Sequence, residues 1–256
     1  MVYFVGAGSG AADLITVRGQ KLLMQADVIV YAGSLVNPQL LLCAKEGCEI
    51  HDSSRMTLEQ VMDVIKKAEQ EGKMTVRLHT GDPSIYGAIR EQMDGLDILG
   101  IPYEVCPGVS SFCGAAASLK TELTLPGVSQ TVIITRMAGR TPVPEQESFQ
   151  SLASHHATMA VFLSAGMVKE MKEQLLLAGY EPDTPAAIVY KATWPEEKLI
   201  RCTVATLDEA AAREKIRKTA LIFIGRAVGE GNRGDYERSR LYAPDFTTEY
   251  RKGTDS

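Results

Sequence analysis

Three turns in this 256-residue sequence pair glycine with groups that could hold a ligand. Gly6-Ala7-Gly8-Ser9-Gly10-Ala11 follows an apolar run, His79-Thr80-Gly81-Asp82-Pro83-Ser84-Ile85-Tyr86-Gly87 follows a second that ends at Leu78, and Cys106-Pro107-Gly108-Val109-Ser110-Ser111 closes a third. Glycine lets backbone approach a ligand closely, the Asp82 carboxylate can accept hydrogen bonds from a cation or hydroxyl, and the serine hydroxyls can donate or accept. Each also has a plain structural use, as an Asx turn at Asp82 or an N-cap at Ser110 or Ser111. The first turn fits G-x-G-x-x-A, the dinucleotide pattern. That pattern asks for a carboxylate at the end of the next strand, which here ends Tyr31-Ala32-Gly33. No Gly-Lys-Ser/Thr follows, so a P-loop is excluded. What remains is a set of tight turns at the carboxyl ends of strands, where open α/β sheets place their ligands.

The elements that must position these turns alternate. Val2–Val5 reads as a strand, Arg18–Gln25 as a helix and Asp27–Tyr31 as a buried strand. Thr57 and Gln60 form a capping box for a helix carrying Leu58, Val61, Met62 and Ile65 on one stripe and ending near Gly72. Strands follow at Met74–Leu78 and Tyr103–Cys106, then a small-residue helix at Phe112–Leu119. After Lys120 the pattern restarts with strands at Gln130–Thr135, Met159–Leu163, Ala186–Tyr190 and Ala220–Ile224, and helices at Met167–Ala178 and Thr206–Lys215. This alternation predicts α/β architecture in both halves. Glu122–Ser129, with Pro126-Gly127, is the best linker. The expected domains are residues 1–120 and 121–228, followed by a polar tail or arm over residues 229–256.

Bulk properties narrow the function class. With 27 basic and 32 acidic side chains the net charge is −5, where a nucleic-acid binder would carry a basic excess. Five cysteines, odd in number and without a CxxC pair, point to buried reduced thiols and not to disulfides. The N-terminus lacks the pattern of a signal peptide, no apolar run is long enough to span a bilayer, and the protein is expected in the cytosol. His155-His156 has no matching ligand cluster, so no protein-bound metal is expected.

Taken together, GAGSGAADLIT, HTGDPSIYG, PGVSS and the late ATWPEEK resemble the tetrapyrrole methyltransferase superfamily, over residues 2 to about 251. Within it, Gln130–Glu145, Val189–Lys198 and Arg238–Phe246 are similar to the branch acting on carbon 11 of precorrin-4 or its cobalt form. The resemblance implies two α/β domains in tandem with S-adenosylmethionine in the interdomain cleft, S-adenosylhomocysteine as product, and a homodimer. It implies cofactor contacts from Thr80, Gly81, Asp82, Ile85, Ser110 and Ser111, and from Leu163, Ala192 and Ala220. The family usually has Pro at Ser9 and Asp-Pro at Ala11-Ala12, whereas Asp13-Leu14-Ile15-Thr16 is intact.

A sulfonium methyl is already activated, so alignment is the protein's main task. Asp82 and His79 are the candidates for any general base. A corrin precursor carries acetate and propionate groups that Arg and Lys would read as charge-assisted donors. Arg136 and Arg140 lead that list, with Arg55, Lys120 and Lys191 behind them. The alternatives are relatives that methylate a different corrin carbon, uroporphyrinogen, rRNA ribose or a modified histidine, and a cofactor-binding module without catalysis. The net charge disfavours the RNA reading.

Overall fold

The computed structural model describes residues 1–229 and 236–254. The chain divides into two compact units, Met1–Ser118 with Lys191–Glu197, and Leu119–Tyr190 with Lys198–Ser256.

The first unit holds a five-stranded parallel sheet of β1 (Val2–Gly6), β2 (Val28–Tyr31), β3 (Glu49–Asp52), β4 (Thr75–His79) and β5 (Tyr103–Cys106), in the order β3-β2-β4-β1-β5. Its helices are α1 (Val17–Gln25), α2 (Leu58–Gln70), α3 (Arg90–Leu99) and α4 (Ser111–Leu119). A parallel sheet needs cover on both faces, and alternate residues along each strand supply two apolar surfaces. Val5, Ile29, Val76 and Leu78 pack with Leu23 of α1 on one face. Val2, Phe4, Val28 and Val30 pack with Val61 and Ile65 of α2 and Leu96 of α3 on the other. The Thr57 capping box forms as expected: the Thr57 amide donates to Gln60 Oε1 at 2.9 Å, and the Gln60 amide to Thr57 Oγ1 at 3.4 Å.

In the second unit β6 (Val132–Arg136), β7 (Thr158–Phe162), β8 (Pro185–Tyr190), β9 (Lys198–Thr203) and β10 (Ala220–Ile224) form a sheet ordered β6-β7-β10-β8-β9. Among its described strands, only β6 and β7 pair in parallel. Three helices, α5 (Phe149–Ala153), α6 (Val168–Leu177) and α7 (Leu207–Arg213), place Phe149, Met171, Leu175 and Leu207 against Met159, Val161, Ile188 and Ile222. The α/β class expected for both halves is therefore present.

Four elements escaped the sequence reading. Strand β3 is Glu-Ile-His-Asp and β9 carries Lys198 and Arg201; both lie at sheet edges, where one side is wet and hydrophobic periodicity fades. Helix α3 has no side-chain cap and carries Gly95 in its middle, where a Cβ would stand 2.9 Å from Met62 Cε. Helix α5 has only five residues. The expectation of buried cysteines is corrected: Cys106 is buried, Cys113 is exposed and the other three lie between. The expected tail lies partly outside the described residues, at 230–235 and 255–256. Over 236–254 it curls on itself. Arg251 donates to the carbonyls of Leu241, Ala243 and Phe246, and the Glu237 amide donates to Pro126 O at 3.0 Å. Among the described residues, no helix is long and apolar enough to cross a membrane.

Candidate functional site

Strands β4, β1 and β5 are neighbours that run in parallel, so the three glycine turns leave the same edge of the sheet. They meet through main chain. The Gly8 amide donates to Gly81 O at 3.2 Å, and the Gly81 amide to Gly8 O at 2.8 Å. A Cβ on Gly6 would stand 2.6 Å from both Gly108 Cα and Gly81 O, and one on Gly108 would stand 2.2 Å from Gly81 O. Gly81 adopts φ 61° and faces Ser110 and Ser111, whose backbone lies 3.4–3.9 Å from where its Cβ would be. The Ser110 carbonyl accepts from the Cys113 and Gly114 amides and so starts α4. The structure thus brings Gly81, Asp82, Ser110 and Ser111 together, with Thr80 exposed and Ile85 half-buried on the same loop.

Asp82 ties this knot. One carboxylate oxygen accepts from the Ser84 amide at 2.8 Å and from the Ser84 hydroxyl, and the other from the Gly108 amide at 2.8 Å. Partial burial pushes its pKa up, but the bonds from the Ser84 hydroxyl and the Gly108 and Ser84 amides outweigh it and hold the carboxyl below its usual range. The Asp82 carboxylate, one of the two candidate bases, thus clasps two loops together. Downstream, Tyr86 at φ 56° and Ala88 at φ 50° sit in left-handed backbone, strain of the kind found at ligand loops.

His79, the other candidate base, lies in the interior of the first unit. It is 4% exposed, with its ring centroid 6.1 Å from that of Phe4. Its Nε2 has no hydrogen-bond partner among the described residues. Burial, then the charge of Arg77, push its pKa down to about 3. Arg77, itself buried and pushed down to about 10 by desolvation, donates to Gln92 Oε1 and Val30 O, each at 3.0 Å. Two basic side chains on one sheet face therefore belong to the support beneath the loops.

The first turn has a second support that sequence did not reveal, the Lys191–Glu197 segment of the same unit. Thr193 Oγ1 accepts from the Ala11 amide at 2.9 Å and lies 3.1 Å from Ser9 Oγ. Trp194 and the Ala192 carbonyl cover Gly10, where a Cβ would clash at 2.3–2.6 Å. Glu197 anchors the segment, accepting from the Thr193 amide and from Ser118 Oγ, both at 2.6 Å. Ser9, where the resemblance leads one to expect proline, is thus a hydrogen-bonded, buried residue. Ala192 is buried in the segment, between Lys191 at φ 46° and Thr193 at φ 65°.

In the second unit the register gathers the remaining residues at one sheet edge. Arg136 pairs with Phe162, Ala220 with Tyr190, and Tyr190 with Lys198. Leu163, just past β7, is 72% exposed at φ 54°, an unusual combination for a leucine. Beside it Ser164 is fully buried, accepting from the Met137 amide at 2.9 Å and donating to Phe162 O at 2.7 Å. Arg136 donates to the carbonyls of Met137 (3.2 Å), Thr141 (3.1 Å) and Pro142 (2.7 Å). The guanidinium of this candidate carboxylate reader thus folds its own loop. Arg140, on that loop, is exposed. Of the weaker candidates, Arg55 and Lys120 are exposed, and Lys191 lies 3.6 Å from Glu196 and 5.4 Å from the Trp194 ring centroid. His156 stacks on Tyr180 at 4.8 Å in an exposed turn.

Comparison with known proteins bears on what such an arrangement does. The family described as Tetrapyrrole (Corrin/Porphyrin) Methylases matches residues 1–208. A protein of Methanocaldococcus jannaschii named cobalt-precorrin-4 C(11)-methyltransferase is 52% identical over 98% of this chain and 96% of its own length. Among solved structures, that of the cobalamin biosynthetic enzyme cobalt precorrin-4 methyltransferase, CbiF, superposes with a TM-score of 0.87 at 49% identity, over 89% of this chain and 95% of that one. A uroporphyrin-III C-methyltransferase from Thermus thermophilus, complexed with S-adenosylhomocysteine, gives a TM-score of 0.74 at 26% identity, over 89% and 92%.

Proposed function

The chain belongs to the tetrapyrrole (corrin/porphyrin) methylase family, and from that premise we propose that it transfers a methyl group from S-adenosylmethionine to carbon 11 of precorrin-4 or cobalt-precorrin-4. The observation that carries this reading is the 52% identity to a cobalt-precorrin-4 C(11)-methyltransferase along almost the whole of both chains. The glycine knot supports it. A ligand such as S-adenosylhomocysteine, with an adenine, a ribose and an amino-acid end, is suited by main-chain donors and acceptors in a closely packed slot. The residues proposed to hold the donor are Thr80, Gly81, Ile85, Ser110, Ser111 and Ala192. Asp82 serves by fixing the Gly108 amide. Leu163 and Ala220 are proposed as ligand-facing positions at the edge of the second sheet.

The electron-rich macrocycle carbon attacks the sulfonium methyl in line; the new carbon–carbon bond forms as the carbon–sulfur bond breaks, and its electron pair stays on sulfur as S-adenosylhomocysteine leaves. Orientation by rigid loops can supply about 7–11 kcal/mol of such a barrier. With Asp82 clasped and His79 buried, neither is assigned as a base. A homodimer in the cytoplasm is part of the same proposal, supported by the family resemblance. The test is incubation with carbon-13 methyl-labelled donor and precorrin-4, with and without cobalt, followed by NMR. One label at carbon 11 per S-adenosylhomocysteine released is the expected result, whereas a label on another carbon, a carboxylate oxygen or RNA would refute it.

A further inference from the structure

The second unit carries a basic pocket. A cavity of about 400 Å³ is lined by Tyr190, Lys198, Glu214, Lys215, Arg217 and Lys218, four cations against one carboxylate in a chain whose net charge is −5. Tyr190 and Lys198 are register partners at the same edge that holds Ala220 and Leu163, and the loop 215–219 leads directly into Ala220.

The loop is locally built to show its charges. After α7 the Ile216 amide donates to Ala211 O at 2.9 Å and the Lys215 amide to Ala212 O at 3.0 Å, the closing pair that ends many helices. The pivot of that motif is left-handed and glycine suits it best, yet here it is Lys215 at φ 56°. Ile216 is buried and pins the loop, leaving Lys215, Arg217 and Lys218 exposed around it. The Arg217 carbonyl lies 3.3 Å from where a Cβ on Gly166 would stand, so the loop rests on the turn that follows Leu163. Lys198 is held by Glu214 at 2.9 Å, whereas Lys215, Arg217 and Lys218 have no ion-pair partner among the described residues.

We infer that Lys215, Arg217 and Lys218 form an anion site that takes peripheral carboxylates of the acidic macrocycle. The inference rests on the proposed tetrapyrrole substrate and adds the side chains that position it. Guanidinium and ammonium groups give carboxylates charge-assisted hydrogen bonds, and their long stems let one pocket adapt to acetate or propionate arms. The Arg136 guanidinium is taken up by the carbonyls of its own loop, whereas these three cations have no ion-pair partner among the described residues.

The test uses the full-length protein, uroporphyrin III as a stable polycarboxylate macrocycle, and its methyl ester, with fluorescence titration for the porphyrin and calorimetry for S-adenosylhomocysteine. The variant Lys215→Gln, Arg217→Gln, Lys218→Gln should bind the porphyrin about tenfold or more weakly and S-adenosylhomocysteine within about twofold of the native protein. The native protein should bind the ester as weakly as the variant binds the acid. Should the triple variant not fold, Lys218→Gln alone is read the same way, with about a threefold loss. Equal porphyrin affinity in native protein and variant, equal binding of acid and ester, or no porphyrin binding by a native protein that binds S-adenosylhomocysteine would overturn the inference. A native protein that fails to bind S-adenosylhomocysteine would overturn the proposed function instead.

Discussion

At the carboxyl edge of the first sheet Gly6, Gly81 and Gly108 touch through main chain, and the one carboxylate among them is fully engaged by Ser84 and Gly108. At the edge of the second sheet long cationic side chains stand around Tyr190 and Ala220, and three of them have no ion-pair partner among the described residues. The first region has almost no freedom to change shape; the second has rotamers to spare. A donor of fixed shape is best held by backbone that loses nothing on binding, whereas a macrocycle with flexible acidic arms is best met by side chains that can follow them.

One added methyl group should act very differently in the two regions. Gly108→Ala places a Cβ 2.2 Å from Gly81 O, and both groups are backbone, so the knot must open. A loss of about 3 kcal/mol of stability, with S-adenosylhomocysteine binding abolished, is expected from such overpacking. Gly139→Ala, in the loop of Arg140, meets nothing nearer than Met167 Sδ at 3.6 Å and should change stability by less than about 0.5 kcal/mol. Urea unfolding and calorimetry of the two variants measure both. Equal effects would mean that the first region is as pliable as the second.

How much of this was legible follows from the same contrast. The three turns were visible because glycine, proline, aspartate and serine are types whose backbone chemistry is local. Asp82 was visible as an Asx turn, yet its bond to Gly108 crosses 26 positions and no local pattern announces it. Arg136 has the right type for a carboxylate reader, but that it donates to three carbonyls within six positions depends on how the loop folds back, which no local pattern announces. The Thr193 and Trp194 support was hidden more deeply. ATWPEEK marked the family, but nothing in its composition says that Thr193 reaches Ser9, 184 positions away. The basic residues Lys215, Arg217 and Lys218 are plain in the sequence, but a charge run there reads as a solvated face, and only the fold sets a cavity beside it.

The buried side of the first region should make stability depend on pH. Folded His79 stays neutral down to about pH 3, whereas in the unfolded chain it takes up a proton near 6.5. The unfolded state therefore binds the extra proton between those values, and stability is full above about pH 6.5 and falls as pH drops towards 3, at up to about 1.4 kcal/mol per pH unit. Carboxylates with lowered pKa, such as Asp27 and Asp82, add their own loss only at lower pH. Urea midpoints between pH 7 and 5 should fall in the native protein and stay nearly flat in His79→Leu. An equal slope in both would place the titrating group elsewhere.

The smallest effect separates two arginines on one loop. Arg136 holds three carbonyls, so Arg136→Ala should release the loop and cost about 1–2 kcal/mol in stability. Arg136→Lys should recover only part of this, because an ammonium cannot span the same fork. Arg140 is exposed on the loop that Arg136 folds, so Arg140→Ala should leave stability within about 0.5 kcal/mol of native. Under the proposed function its effect is on substrate alone: a tetrapyrrole KM raised about threefold, with S-adenosylhomocysteine affinity unchanged, as a single solvated charge contact implies. If Arg136→Ala raised KM without lowering the urea midpoint, Arg136 would be reading the substrate after all, and the second edge would use folded as well as free cations. If Arg140→Ala instead lowered the midpoint, the loop would owe its shape to both residues, and the contrast between a fixed edge and an adaptable one would narrow to Lys215, Arg217 and Lys218.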